Sequence, residues 1–210
     1  MKNSCVIVAG GNCDVSTLAN ECLNKYVIAA DSGFYHCQNA LVEPDLLIGD
    51  FDSYLGSLPQ NIKTVKLPVQ KDDTDLMFAV KCACEQSFDE IVIFGGYGSR
   101  PDQNVAMFQT LCWLSSNAPQ IKFSAKCVGF EVFAVTNSSL IVKSSEDRYL
   151  SVFSFDGKAE GVTIKGAEYE LDDATVSSCY PVGVSNVAVN DTVVSVRNGT
   201  LLIMLVDKNI

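Results

Sequence analysis

Three groups of aspartates stand where apolar runs end. Gly49-Asp50-Phe51-Asp52-Ser53 follows Leu46-Leu47-Ile48, and Lys71-Asp72-Asp73-Thr74-Asp75 precedes a helical pattern. Asp31 closes the run Val27-Ile28-Ala29-Ala30. Acids gathered at the carboxyl ends of strands repel one another, by about 4 kcal/mol per pair at 4 Å and an effective dielectric near 20. A divalent cation among them removes that penalty. Magnesium takes one or two carboxylates and completes its shell with substrate phosphates and water. The residue types therefore point to a metal-dependent phosphate site. If the chain stays extended from Asp50 to Asp52, both carboxylates face one side and Phe51 the other.

Each group also has a plainer use. Aspartate and serine make turns after strands, and acids cap helices and favour the positive end of the helix dipole. One cap needs one residue, so Asp72, Asp73 and Asp75 together exceed that need, and Lys71 either meets a phosphate or neutralises its neighbours. A fourth segment, Phe94-Gly95-Gly96-Tyr97-Gly98-Ser99-Arg100-Pro101-Asp102-Gln103, leaves a strand and enters a helix. Backbone N–H groups and the helix dipole bind phosphate in that geometry. The segment matches neither GxxxxGK[ST] nor GxGxxG. Ser99 as N-cap, Pro101 in the first turn and Asp102 at N3 would account for most of it as a capping box. Arg100 is left over, and a guanidinium beside a glycine loop suits bidentate contact with phosphate or carboxylate.

The elements that must position these residues alternate through the first 120 or so positions. Strands are expected at Cys5–Ala9, Val27–Ala30, Leu46–Ile48, Thr64–Leu67 and Ile91–Phe94, and helices over about Asp14–Lys25 and Gly33–Ala40. Leu76, Ala79, Val80 and Ala83 recur on one helical face, whereas from Val105 to Leu114 the apolar residues run almost all round, as in a buried helix. This rhythm predicts an α/β fold with a mostly parallel sheet flanked by helices, whose ligands bind beyond the carboxyl ends of the strands. From about Lys126 short strand-like runs take over, with hairpin signals at Asp156-Gly157 and Asn198-Gly199. They predict a C-terminal antiparallel β-sandwich. The expected division is residues 1–125 and 126–210.

Composition narrows the function. The 210 residues are 48% hydrophobic, and 15 Lys and Arg against 25 Asp and Glu leave a net charge of −10, with no basic run to bind nucleic acid. The longest clean apolar run, Leu201 to Val206, is too short for a bilayer, and Met1-Lys2-Asn3-Ser4 leads straight into a strand-like segment without the apolar stretch of a signal peptide. The nine scattered cysteines, without a CxxC, fit reduced thiols in a cytoplasmic protein. His36 is the only histidine, so no catalytic triad can be built, and it is expected to be an ordinary helix residue. Trp113 is expected in the core.

Taken in order, the segments resemble the thiamine pyrophosphokinase family along nearly the whole chain. They are Ala30-Asp31-Ser32-Gly33, Gly49 to Ser53, Lys71 to Asp75, the Gly95 to Asp102 loop, Gly166 with Tyr169 and Leu171, Ser185-Asn186, and a final pair around Val194-Ser195-Val196 and Gly199-Thr200-Leu201-Leu202. The resemblance implies transfer of a pyrophosphoryl group from ATP to thiamine, giving thiamine diphosphate and AMP, in a homodimer with active sites between subunits. It implies that Asp50, Asp52 and Asp75 bind Mg²⁺, and that Asp52, Asp75 and Arg100 serve catalysis, with Asp75 or Asp52 accepting the hydroxyl proton. Asp31, Lys71, Asp72, Thr74, Gly96, Gly98, Arg100 and Asp102 would line the ATP and phosphate region, and Ser185 and Asn186 would meet the pyrimidine of thiamine. Ser99 stands where a further glycine is usual, Gln103 where histidine is common, Val187 where an acid often follows Ser-Asn, and Gln70 in place of a frequent aspartate. Two other functions share the metal chemistry or the scaffold. A pyrophosphokinase for another small alcohol, such as a hydroxymethylpterin, would keep the aspartates and lose the second-half motifs. A non-catalytic nucleotide-binding protein would have lost metal acids.

Overall fold

The computed structural model describes residues 3–51, 54, 56–70 and 72–209. The chain forms two compact units, one of residues 1–110 and 120–128, the other of residues 111–119 and 129–210.

The first unit is a βα succession: β1 (Ser4–Val8), α1 (Val15–Glu21), β2 (Tyr26–Ala30), α2 (Gly33–Asn39), β3 (Leu46–Gly49), β4 (Lys63–Lys66), α3 (Asp75–Glu85), β5 (Glu90–Phe94), the start of α4 (Pro101–Asn117) and β6 (Lys122–Cys127). Its six strands are all parallel, in the order β6-β5-β1-β2-β3-β4. Side chains alternate across the sheet, so both faces of the central strands are apolar. Val6, Val8, Val27, Ala29, Leu47 and Val92 pack under Leu18 of α1 and Phe34 and Cys37 of α2. Ile7, Ile28, Ile48, Ile91 and Ile93 point the other way and are equally buried. There α3 lies across β1, β2 and β3 and presents Ala79, Val80 and Ala83, small residues that let a helix approach a sheet closely.

Helix α4 departs from the expected all-round burial. Val105 is 51% exposed, while Met107, Thr110, Leu111 and Leu114 form one buried face at i, i+3, i+4 and i+7. Trp113 is half-buried rather than core.

The second unit is antiparallel: β7 (Phe130–Thr136), β8 (Ser139–Val142), β9 (Ser145–Ser154), β10 (Lys158–Ala167), β11 (Leu171–Ser177), β12 (Asn186–Ser195) and β13 (Thr200–Asp207). The order is β11-β10-β12-β9-β13-β7, with β8 also on β12. β12 pairs β9 through Asn186 and Ala188 and β8 through Thr192–Ser195, with an irregularity after Asn186. A strand that changes partners in this way lets a sheet turn over on itself into a sandwich. Leu201, Ile203 and Leu205 of β13 alternate onto the core side with Val135, Leu150, Val152, Val162, Ile164 and Val194. One expectation changes here. Neither Asp156-Gly157 nor Asn198-Gly199 closes a hairpin, because β9 and β10 do not pair, nor do β12 and β13. The turns are real: Gly157 and Gly199 have φ of 107° and 113°. They redirect the chain to a more distant partner.

Candidate active site at the strand ends

Strand order fixes where a ligand can enter. From β1 the chain winds outward through β2, β3 and β4, then returns to place β5 on the other side of β1. The carboxyl ends of β1 and β5 therefore flank the point where winding reverses, and α/β sheets bind ligands in the crevice formed there. Both ends are glycine turns. Gly11 N–H donates to the Gly95 carbonyl (2.6 Å) and Asn12 N–H to that of Tyr97 (2.7 Å). Gly95 has φ 63°, and a Cβ there would lie 2.1 Å from the Ala9 carbonyl oxygen, so only glycine closes this seam.

A cavity of about 610 Å³ opens at this point. Asp31, Asp50, Asp72, Thr74 and Asp75 line it together with Gly96, Gly98 and Arg100. Eight of the residues singled out in the sequence thus converge. Asp52 and Lys71 lie outside the described residues.

Asp31 follows β2 in a left-handed conformation, φ 47°, which aspartate tolerates better than most side chains. Its Oδ1 is buried without a hydrogen-bond partner among the described residues. Burial pushes its carboxyl above the ordinary range, Asp75 and Asp50 push the same way, and hydrogen bonds from Ser32 only partly offset them. Asp31, Asp50 and Asp75 are thus electrostatically coupled acids, with an oxygen lacking the partner it needs. That is the donor set a cation would complete. Among the described residues, no three acid, histidine or cysteine side chains form a ready metal cluster.

The path from β3 differs from the extended one expected. The strand stops at Gly49, and Phe51 turns into the left-handed region (φ 57°), its ring joining the apolar cluster under α1 and α2. Burying that ring outweighs the backbone preference. At α3 the cap is Thr74, not an aspartate: its hydroxyl accepts from Met77 N–H at 3.1 Å. Asp75 opens the helix, and Asp73 binds Lys81 through both oxygens, at 2.9 and 2.7 Å. Asp72 is exposed at the rim.

Helix α4 begins at Pro101, and the Arg100 carbonyl accepts from Asn104 N–H. Arg100, rather than Ser99, therefore takes the cap position. Asp102 lies outside the cavity lining and grips the Arg100 guanidinium through two bonds, Nε–Oδ1 at 3.2 Å and Nη2–Oδ2 at 2.5 Å. The pair is exposed, and the charge-assisted bonds hold the Asp102 carboxyl below its usual range.

Two residues at this site were missed. His36, expected to be ordinary, places Nε2 2.7 Å from the Gly11 carbonyl, and Asn104 grips Gly98 by both its N–H and its carbonyl. His36 acts on Gly11, 25 residues away, so no local signal marks it, whereas Asn104 reaches back only six residues to Gly98 across the loop that opens α4.

The other two candidates belong to the second unit. Asn186 is 5% exposed; its Oδ1 accepts from Tyr169 and Val187 N–H, and its Nδ2 donates to the Tyr169 carbonyl. Most of its bonding capacity thus fixes the backbone of Tyr169, a residue that is 67% exposed. Ser185 sits at φ 59° with its N–H on Ser151 Oγ.

Comparison with known proteins adds a frame to this geometry. The family model "Thiamin pyrophosphokinase, catalytic domain" matches residues 19–123, and "Thiamin pyrophosphokinase, vitamin B1 binding domain" matches residues 138–202. A thiamine pyrophosphokinase of Bacillus subtilis (strain 168) is 27% identical over 164 residues, 76% of each chain. Among solved structures, thiamine pyrophosphokinase from Bacillus subtilis superposes with a TM-score of 0.85 at 23% identity, covering 98% of this chain and 99% of that one. The enzyme from Geobacillus thermodenitrificans gives 0.83 at 20%, covering 98% of both, and that from Candida albicans 0.79 at 13%, covering 98% and 90%. At these identities the superpositions speak for the fold.

Proposed function

Since the chain belongs to the thiamin pyrophosphokinase family, we propose that the crevice of the first unit is where ATP gives its terminal pyrophosphoryl group to the hydroxyethyl oxygen of thiamine, with AMP leaving. The observation that carries this placement is the buried Oδ1 of Asp31, without a partner among the described residues and set among Asp50 and Asp75 at the point where winding reverses. Asp50, Asp52 and Asp75 would hold Mg²⁺, with Asp31 and Asp72 beside them. When bound, the ion neutralises and gathers the phosphate oxygens.

The chain's own groups supply the rest. The Gly96–Gly98 turn, whose Gly98 N–H is held by Asn104, and the amino end of α4 would face the phosphates. Arg100, oriented by Asp102, offers a planar fork to their oxygens, and Lys71 adds a second cation. Thr74 fixes the start of α3 and thereby the backbone that carries Asp75. Asp75 or Asp52 accepts the hydroxyl proton. Transfer of this kind rests on positioning and charge neutralisation more than on a strong base.

Ser185 and Asn186 of the second unit would form the thiamine subsite, Asn186 largely by holding Tyr169. The match of residues 138–202 to a vitamin B1 binding domain favours thiamine over a pterin as the acceptor. The working form is a homodimer with shared sites, in the cytoplasm. None of the nine cysteines is in a disulfide, and burial pushes Cys37 and Cys112 up to about 12, as in thiols kept reduced. No helix among the described residues is long and apolar enough to cross a membrane.

The test is a reaction of purified protein with ATP, Mg²⁺ and thiamine, with nucleotides resolved by chromatography. AMP and thiamine diphosphate should appear in equal amounts and stop with EDTA. ADP as the product, or AMP release independent of thiamine, would overturn the assignment.

A further inference from the structure

The two glycine turns at the crevice are held by side chains at both ends of one hydrogen-bonded series. Gly33, whose Cβ would fall 2.0 Å from the Val8 carbonyl oxygen, lets α2 press against the end of β1. One turn further along α2, His36 reaches the Gly11 carbonyl at 2.7 Å. A carbonyl only accepts, so the imidazole donates from Nε2. Gly11 and Asn12 then donate to the carbonyls of Gly95 and Tyr97. At the far end Asn104 Oδ1 accepts from Gly98 N–H at 2.8 Å, and Nδ2 donates to the Gly98 carbonyl at 2.9 Å. The Asn104 N–H also reaches the Arg100 carbonyl, so the asparagine closes the loop from which Arg100 projects.

We infer that His36 and Asn104 are positioning residues that lock the Gly10-Gly11 and Gly95–Gly98 turns together and so set the phosphate-facing wall for the nucleotide. This rests on the function proposed above. Both side chains act through backbone, and neither needs to touch the substrate. Their loss should therefore weaken ATP and leave thiamine unaffected.

The experiment uses the full chain with four variants. His36→Phe keeps a ring and loses the donor, while His36→Gln puts an amide N–H near the Nε2 position. Asn104→Ala loses both bonds to Gly98. Asn104→Asp keeps the shape and one acceptor but sets a carboxylate oxygen against the Gly98 carbonyl. His36→Phe, Asn104→Ala and Asn104→Asp are each expected to raise the KM for ATP about tenfold or more, since each loses at least one well-made hydrogen bond. The KM for thiamine should change less than twofold, and His36→Gln should recover most of the loss. Calorimetric binding of a non-hydrolysable ATP analogue with Mg²⁺ should show the same pattern without turnover. Unchanged ATP affinity in the variants, or equal impairment of His36→Gln and His36→Phe, overturns the inference. If His36→Phe does not fold, the isosteric Asn104→Asp decides the matter alone. A wild-type protein that forms no AMP with thiamine defeats the proposed function instead, a result separable from normal turnover in wild type and variants alike.

Discussion

Replacing Asp31 by asparagine separates what this acid costs the fold from what it does for a ligand. Asparagine tolerates the left-handed backbone at φ 47° that most side chains would strain. It also removes the charge that burial and the acids at 50 and 75 disfavour. A buried polar atom without a partner costs about 1–3 kcal/mol, and more when it is charged. Asparagine keeps a polar atom in that place and removes only the charge, on a residue that is half-buried, so the ligand-free variant should be more stable by at most about 1 kcal/mol. For a chain of this length that is a rise in Tm of roughly 2–4 °C.

The gain should depend on pH in one direction. In the fold the Asp31 carboxyl titrates above its ordinary 3.8. Between those values the native state keeps a proton that the unfolded chain has released, so wild-type stability falls as pH rises through the window, and the variant lacks that slope. Ligand reverses the order. Mg²⁺ with a non-hydrolysable ATP analogue at 100 times Kd should stabilise the wild type by about 2.7 kcal/mol, and the variant by far less. Calorimetric scans at pH 5 and pH 8, with and without that ligand, read all four quantities. A ligand-free Asp31→Asn less stable than wild type at pH 8 would mean that the acid is satisfied in the fold, and the argument for a cation beside it would fail.

Further outcomes are expected. Asp50→Asn should fold normally yet lose turnover by about a hundredfold or more even at saturating Mg²⁺, because an amide is a poor ligand; near-normal steady-state rates would remove Asp50 from the metal set. Arg100→Lys should lose roughly tenfold or more in kcat/KM for ATP, since the planar fork goes while the charge stays, and unchanged kinetics would reduce Arg100 to a surface partner of Asp102. Thr136→Val removes a hydroxyl that meets Ser115, Ser116 and Thr200 at 2.6, 3.1 and 2.9 Å. It should cost about 1–3 kcal/mol in urea unfolding, because Thr200 is then buried without that partner. Mixing inactive Asp52→Asn with inactive Asn186→Ala under subunit exchange should restore activity if sites are shared between protomers; sites confined to one chain restore none.

What could be read in the sequence was whatever is decided within a few residues. Strands show as apolar runs because both faces of the parallel sheet are covered, and β2 and β5 end at Ala30 and Phe94, as expected, since Asp31 and Gly95 stop them. The acids at 31, 50 and 75 and the turn at 95–98 were legible for the same reason: each sits at a strand or helix end that its own sequence defines.

Partner choice is not local, and the misses follow from that. Asp156-Gly157 and Asn198-Gly199 have true turn chemistry, but whether a turn makes a hairpin depends on which strand the core accepts next. In this protein β13 pairs β7 and β9 instead of β12. Phe51 leaves the extended path because a ring-sized space lies under α1 and α2, which strand periodicity cannot reveal. Thr74 and the neighbouring acids are all competent caps, and the approach of Lys81 to Asp73 selects among them. His36 shows this most clearly: it looks like a polar residue on a helix and gains its target, the Gly11 carbonyl 25 residues away, only when α2 packs against the end of β1. The reacting groups are written locally, while the frame that aims them is written in the order of the strands, so substitutions in the frame should disturb ATP handling without touching any residue the motifs mark.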